Sequence, residues 1–255
     1  WAADLLSHDY AVRGDAQTAL KQLGEAAVPQ LCVLLRKRNP SWEQHVVRLN
    51  SLLPFLNYQR VDAVACRLRS AEMLGLLGPH ASEAIPDLIR ALAFDHSANE
   101  PERALLRIGR AAVGPLTHAL QDAGDPKVRE RSARLLREFP SLDEHSIAAL
   151  MDATEDRVAE VRGEAALALG AAAHKREDAI RRLLSLAVDS KEGVRAAALK
   201  ALGEIGISKT EVQTVLQRGL ADKSVPVRLA AAKSLWSLEQ NSRDTVPVLT
   251  NILLG

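Results

Sequence analysis

Apolar residues recur along this chain with the spacing of a single helical face. From Val194 onward, Val194, Ala198, Leu199 and Leu202 make one stripe at 3.6 residues per turn. The phrase that carries them, Val-Arg-x-x-Ala-Ala-x-Ala-Leu-Gly in its Val161–Gly170 form, returns at Val194 and Val227 and is preceded at Val128, always at an interval of 33 residues. Earlier copies close at Gly24, Gly75 and Gly109, with Ala19 and Leu23, Ala71 and Leu74, and Leu105 and Ile108 as their apolar pairs. The pattern thus predicts seven amphipathic helices. A second apolar pattern lies between copies, at 84–92, 112–120 and 245–254, and predicts partner helices. Pro29, Pro86, Pro115 and Pro247 stand near their starts, where a missing amide hydrogen costs least. A period of this length means that no unit buries its apolar face alone, so neighbours must cover it. The expected fold is all-α, a right-handed α-α superhelix of about seven helix pairs forming one domain over 1–255.

The period is broken once. The interval between Gly24 and Gly75 is longer than the others by roughly 18 residues, an insertion at about 40–60. Trp42–Leu53 within it predicts an extra helix, with Ser41 as N-cap and Gln44 completing a capping box. The insertion serves either as an architectural wedge or as a binding feature. The chain begins at Trp1, and its last expected helix lacks a partner, so it reads as part of a longer protein.

Three further spacings narrow the picture: Asp156 precedes Arg162, Asp189 precedes Arg195, and Asp222 precedes Arg228, each by six residues. With them the chain resembles a HEAT-repeat protein, and more narrowly the short bacterial HEAT-like repeats that also occur in phycobilin-lyase subunits. The resemblance implies that each Asp lies in the turn inside a repeat and each Arg on the second helix, together forming a hydrogen-bonded ladder along the stack. A carboxylate near a helix N-terminus also accepts orphan amide bonds and meets the positive end of the dipole. Ala16 and Pro101 stand where two ladder arginines are expected, and Arg137 and Trp236 replace two closing glycines. A continuous ladder is therefore expected only from Arg129 to Arg228.

Composition changes this picture little. Hydrophobic residues make up 47% and aromatics only 3%, so the core must be built from Leu, Ala, Val and Ile in thin, close-packed layers. The 33 basic and 32 acidic residues nearly cancel, and no global field draws the chain to nucleic acid or an anionic membrane. No apolar run is long enough to span a bilayer. The compartment stays open, with the cytoplasm favoured and the envelope allowed if a leader or anchor has been removed. Cys32 and Cys66 have no metal-ligand spacing and read as buried structural thiols.

Catalytic patterns are missing from the sequence. No two of the seven histidines lie three or four residues apart, and the adjacent His-Glu pairs of deoxyhypusine hydroxylase, an enzymatic relative by fold, do not occur. Glu83 with Asp87 and Glu160 with Glu164 are carboxylate pairs one turn apart, and both read as solvated helix faces. No catalytic residue, cofactor or metal site is expected.

If the phrase helices line the concave side, as the resemblance implies, their outward positions fall one, two and five residues after each ladder position. None is aromatic, so stacking on bases, as in the HEAT-like DNA glycosylases, is unavailable there. Candidate partner contacts are Arg69, Arg103, Arg131, Arg134, Leu167, Leu229 and Lys233. Lys127, Arg129, Arg131, Arg134 and Arg137 crowd one helix and keep local phosphate binding conceivable. The sequence reading is a non-enzymatic scaffold for another protein, without membrane insertion. Nucleic-acid binding and lyase-like tetrapyrrole handling are its alternatives.

Overall fold

In the computed structural model the apolar stripes become two alternating sets of helices. The structure describes residues 4–6, 9–38, 62–94, 99–172, 176–207, 210–239 and 250. The insertion expected at 40–60, including Ser41, Gln44 and the helix Trp42–Leu53, lies outside the described residues. So does the helix expected at 245–254, apart from Thr250. The phrase helices are α1 (Tyr10–Leu23), α3 (Ala63–Leu77), α5 (Asn99–Ile108), α7 (Pro126–Arg137), α9 (Ala159–Ala172), α11 (Glu192–Ile205) and α13 (Val225–Glu239). Their shorter partners are α2 (Val28–Leu35), α4 (Ile85–Ala91), α6 (Val113–Asp122), α8 (Glu144–Ala153), α10 (Glu177–Leu186) and α12 (Thr210–Gly219). No strand occurs among the described residues.

Helix starts follow local chemistry. Asp9, Asp62, Asp125 and Asp143 accept first-turn amides of α1, α3, α7 and α8, and Pro29 and Pro86 sit in the first turns of α2 and α4. The chain divides into two compact units, Trp1–Ala112 and Val113–Gly255. In the first, α3 packs against both α2 and α5. In the second, α7, α9, α11 and α13 stack in chain order, each beside the short helix that precedes it. Leucines fill both cores: Leu31, Leu74, Leu88 and Leu105 in the first unit, and Leu116, Leu136, Leu150, Leu169 and Leu183 in the second, are all buried.

Small residues set how closely the long helices approach. A Cβ on Gly170 would lie 2.7 Å from the Cα of Ala201, and one on Gly203 would lie 2.9 Å from that of Ser234. No side chain fits at either crossing. In the first unit Gly75 plays this part against Ala104, at 3.2 Å. That contact puts Ala104 level with Ala201 and Ser234, so the sequence register of the α5 copy is displaced by three residues. Gly109 and Gly24 are not crossing glycines. Like Gly78, they have positive φ (85°, 55° and 57°) and open 3-10 turns that lead into the next short helix. Glycine serves both roles, close approach and left-handed backbone, and the two cannot be told apart by residue type.

Candidate interaction surface

The phrase arginines are held from two sides. Nη1 of Arg129, Arg162, Arg195 and Arg228 donates to the carbonyl of the turn in its own repeat, at Ala123, Asp156, Asp189 and Asp222, over 2.8 to 3.0 Å. Nε and Nη2 of the first three then donate to the carboxylate of the following turn, pairing Arg129 with Asp156, Arg162 with Asp189 and Arg195 with Asp222 at 2.7 to 3.1 Å. Each carboxylate also accepts an amide two residues on, from Val158, Lys191 or Ser224. Burial alone would raise the Asp156 and Asp189 carboxyls. The arginine and amide bonds outweigh it and hold both below the usual carboxylate range. At Asp222 the Arg195 bonds are the largest influence, in the same direction.

The first unit builds this position differently. Arg67 is buried, and its Nη1 donates to the Lys37 carbonyl at 2.8 Å, across the sequence interval that holds the insertion. Phe94 stands where a ladder aspartate would be, and the Arg67 guanidinium lies 4.5 Å from its ring centroid. Burial lowers the pKa of Arg67, against the charge of Asp62, whereas the Asp156 and Asp222 bonds raise those of Arg129 and Arg195.

Asp87 corrects the sequence reading. It does not lie on a solvated face: its side chain is 4% exposed and takes two bonds from Arg36, at 2.7 and 2.6 Å, and an ion pair from Arg90 at 2.6 Å. Arg36 is 51 residues away in sequence, so the pair is invisible to helical spacing. Burial would raise the Asp87 carboxyl, but the Arg36 bonds and the Arg90 charge more than offset it and keep the pKa low. Beside it, burial and the Asp87 charge push the Cys32 thiol up to about 11, which makes it a poor nucleophile at neutral pH. Cys66 is buried as well. Among the described residues no group of three or more His, Cys, Asp or Glu side chains could hold a metal ion. No helix among them is long and apolar enough to cross a membrane.

Two of the grooves on the second unit include expected contacts. The larger, about 860 Å³, lies along α9 and α11, with Leu167 and Ala197 in its wall, Gly163 between them, and Glu130, Glu160, Glu164 and Glu192 around them. The smaller, about 410 Å³, lies between α11 and α13 and includes Lys200, Leu229, Ala230 and Lys233. Leu167 thus belongs to the first, and Leu229 and Lys233 to the second. The remaining expected contacts are already engaged: Arg69 pairs with Glu72 at 3.0 Å, Arg103 with Glu100 at 2.7 Å, and Arg134 with Glu130 and Glu164. Arg131 is half-buried and also engaged. Of the cations crowding α7, Arg129 bonds Asp156, while Arg137 lies 3.4 Å from Glu138 and 3.6 Å from Glu164.

Residues 147–236 match the family model of HEAT repeats. No curated protein matches the sequence. A chain in the solved complex of CpcE and CpcF of phycocyanin lyase from Nostoc sp. PCC7120 is similar at 28% identity and a TM-score of 0.52, over 60% of this chain and 98% of that one. Human deoxyhypusine hydroxylase is similar at 19% identity and a TM-score of 0.41, over 94% and 83% of the two chains. A designed armadillo repeat protein in complex with the peptide (KR)4 gives 18% and 0.47, over 83% and 99%. The chain is an all-α helical-repeat protein, with HEAT repeats at residues 147–236.

Proposed function

We propose that the chain is a non-enzymatic scaffold that binds another protein along the α9–α11 groove. The observation that carries this reading is the makeup of the groove: successive repeats contribute apolar Leu167 and Ala197 beside charged Glu160 and Glu192. Neither glutamate has an ion pair among the described residues, while Arg162 and Arg195 of the same helices are spent on the ladder. A small-residue floor with a charged rim suits an extended polypeptide. In the smaller groove, Leu229 and Lys233 extend the same reading toward α13.

A second reading draws on the Nostoc protein, whose solved form is a complex of two lyase subunits: this chain would be one member of a paired, lyase-like assembly. Nucleic-acid binding is the weaker alternative, because Arg129, Arg134 and Arg137 of the α7 cluster all face carboxylates.

The test is affinity capture of the native full-length protein followed by mass spectrometry, repeated with Glu160→Lys and Glu192→Lys together. The scaffold reading expects a protein partner that the double variant loses while its melting midpoint stays within a few degrees. Partners retained by the double variant would move the contact elsewhere. A chromophore-bearing preparation would favour the lyase-like reading, and salt-sensitive retention on heparin the nucleic-acid one.

A further inference from the structure

The α9–α11 and α11–α13 grooves differ in kind. Glu130, Glu160, Glu164 and Glu192 line the first, beside Arg157 and Lys191. Counted on by whole repeats of 33 residues, the four glutamate positions become Leu229, Pro226, Ala230 and Val225 on α13. Each carboxylate is thus exchanged for an apolar side chain. The exchange also runs the other way, because Leu167 of the first groove corresponds to Lys200 on α11 and Lys233 on α13. Leucine serves that position in α9, so the repeat itself does not call for the lysines.

Pro226, Leu229 and Ala230 line the α11–α13 groove together with both lysines. Val225, next in sequence, is 45% exposed. One carboxylate lines this groove: Glu204, one turn from Lys200 on the same helix and 3.8 Å from its Nζ. Both side chains are more than a third exposed, and a pair this long in water holds little. Lys233 has no ion pair among the described residues. The lining therefore combines an apolar wall with an excess of positive charge.

We propose that the α11–α13 groove takes an acidic segment of the partner protein that also carries bulky apolar side chains. The proposal rests on the scaffold reading and names the chemistry of the partner at this end of the surface. Carboxylates of the segment meet Lys200 and Lys233, and its apolar side chains lie against Leu229, Ala230 and Pro226. A phosphate backbone could answer the lysines but has nothing to set against the apolar wall.

The experiment uses the full chain and a fluorescein-labelled peptide, Asp-Glu-Leu-Leu-Glu-Asp, followed by anisotropy. Its controls are the same peptide with Asn and Gln for Asp and Glu, one with Ser for Leu, and a short DNA duplex. The acidic peptide should bind about tenfold more tightly than either peptide control, with an affinity that falls as salt is added. Lys200→Glu with Lys233→Glu should cost about tenfold while the melting midpoint stays within a few degrees, since both side chains are exposed. Glu204→Gln, which removes the competing carboxylate, should tighten binding about twofold. Glu160→Lys with Glu192→Lys should leave the peptide bound as before. Equal binding of either control peptide, indifference to the lysine reversals, or no measurable binding of the acidic peptide would overturn the proposal. So would a duplex that binds more tightly than the peptide and is lost in the same variant. A captured partner that the Glu160 and Glu192 reversals lose but the lysine reversals keep would leave the scaffold reading standing and remove this one.

Discussion

The two units solve one problem, a cation at the start of a long helix, in two ways. In Val113–Gly255 the arginine is gripped by the next aspartate, three times over; in Trp1–Ala112 Arg67 lies against the ring of Phe94, and the carboxylate appears instead at Asp87 between Arg36 and Arg90. Both keep the bond from Nη1 back to a turn carbonyl. What is common to the two units is this local half, which positions the helix in its own repeat. The half that reaches forward is exchangeable.

That contrast can be broken where packing overrides it. Leu169→Ala in the second unit and Leu74→Ala in the first should each cost about 2 to 5 kcal/mol in chemical denaturation, since both side chains are fully buried at Gly-lined crossings. A marked difference between them would mean that the ladder, and not the core, sets local stability. Next in size is Asp189→Leu, which strands a guanidinium whose side chain is 15% exposed and should cost about 2 to 3 kcal/mol. Phe94→Leu removes the ring face from Arg67 and from Arg38, whose guanidinium lies 5.7 Å from the centroid, and should cost about 1 kcal/mol. A larger loss for Phe94→Leu than for Asp189→Leu would reverse the comparison.

Acid gives the smallest and most graded effect. The folded-state carboxyls of Asp156, Asp189 and Asp222 lie below the unfolded value of about 3.9. Their contribution is therefore full above that pH and is lost as pH falls through the lower, folded values. Asp87 follows the same sign in the first unit, one such carboxylate among its described residues against three rungs in the second. Hydrogen-exchange protection, relative to the intrinsic rate at each pH, should thus be unchanged between pH 7 and 5. Below about pH 4, amides of α9, α11 and α13 should lose protection before those of α3 and α4. Simultaneous loss in both units would show that the rungs carry little.

The repeat itself was legible because Val-Arg and its alanines recur at constant spacing, so the seven long helices and the Asp and Arg positions of the second unit could be placed from residue type. The first unit was harder to read. Phe94 and Lys37 share no chemistry with aspartate, and only their contacts with Arg67 reveal the common position. Gly24 and Gly109 resembled Gly75 by type, yet positive φ, and not close approach, accounts for them. The burial of Asp87 depends on Arg36, a partner 51 residues away that no local pattern marks. On the outward face, Leu167, Leu229 and Lys233 could be placed by register. That Arg134 is tied to Glu164 in the next repeat could not, because the pair forms across a helix crossing.

The central claim is a division of labour: the ladder and the leucine core hold the stack, and the α9–α11 groove meets a partner. The most direct test measures partner capture and thermal melting side by side for Glu160→Lys with Glu192→Lys and for Asp189→Leu. The groove variant should lose the captured protein at an unchanged midpoint, and the ladder variant should melt earlier yet still capture it well below its midpoint. A groove variant that keeps its partner, or loses it only in step with its melting, would contradict the account.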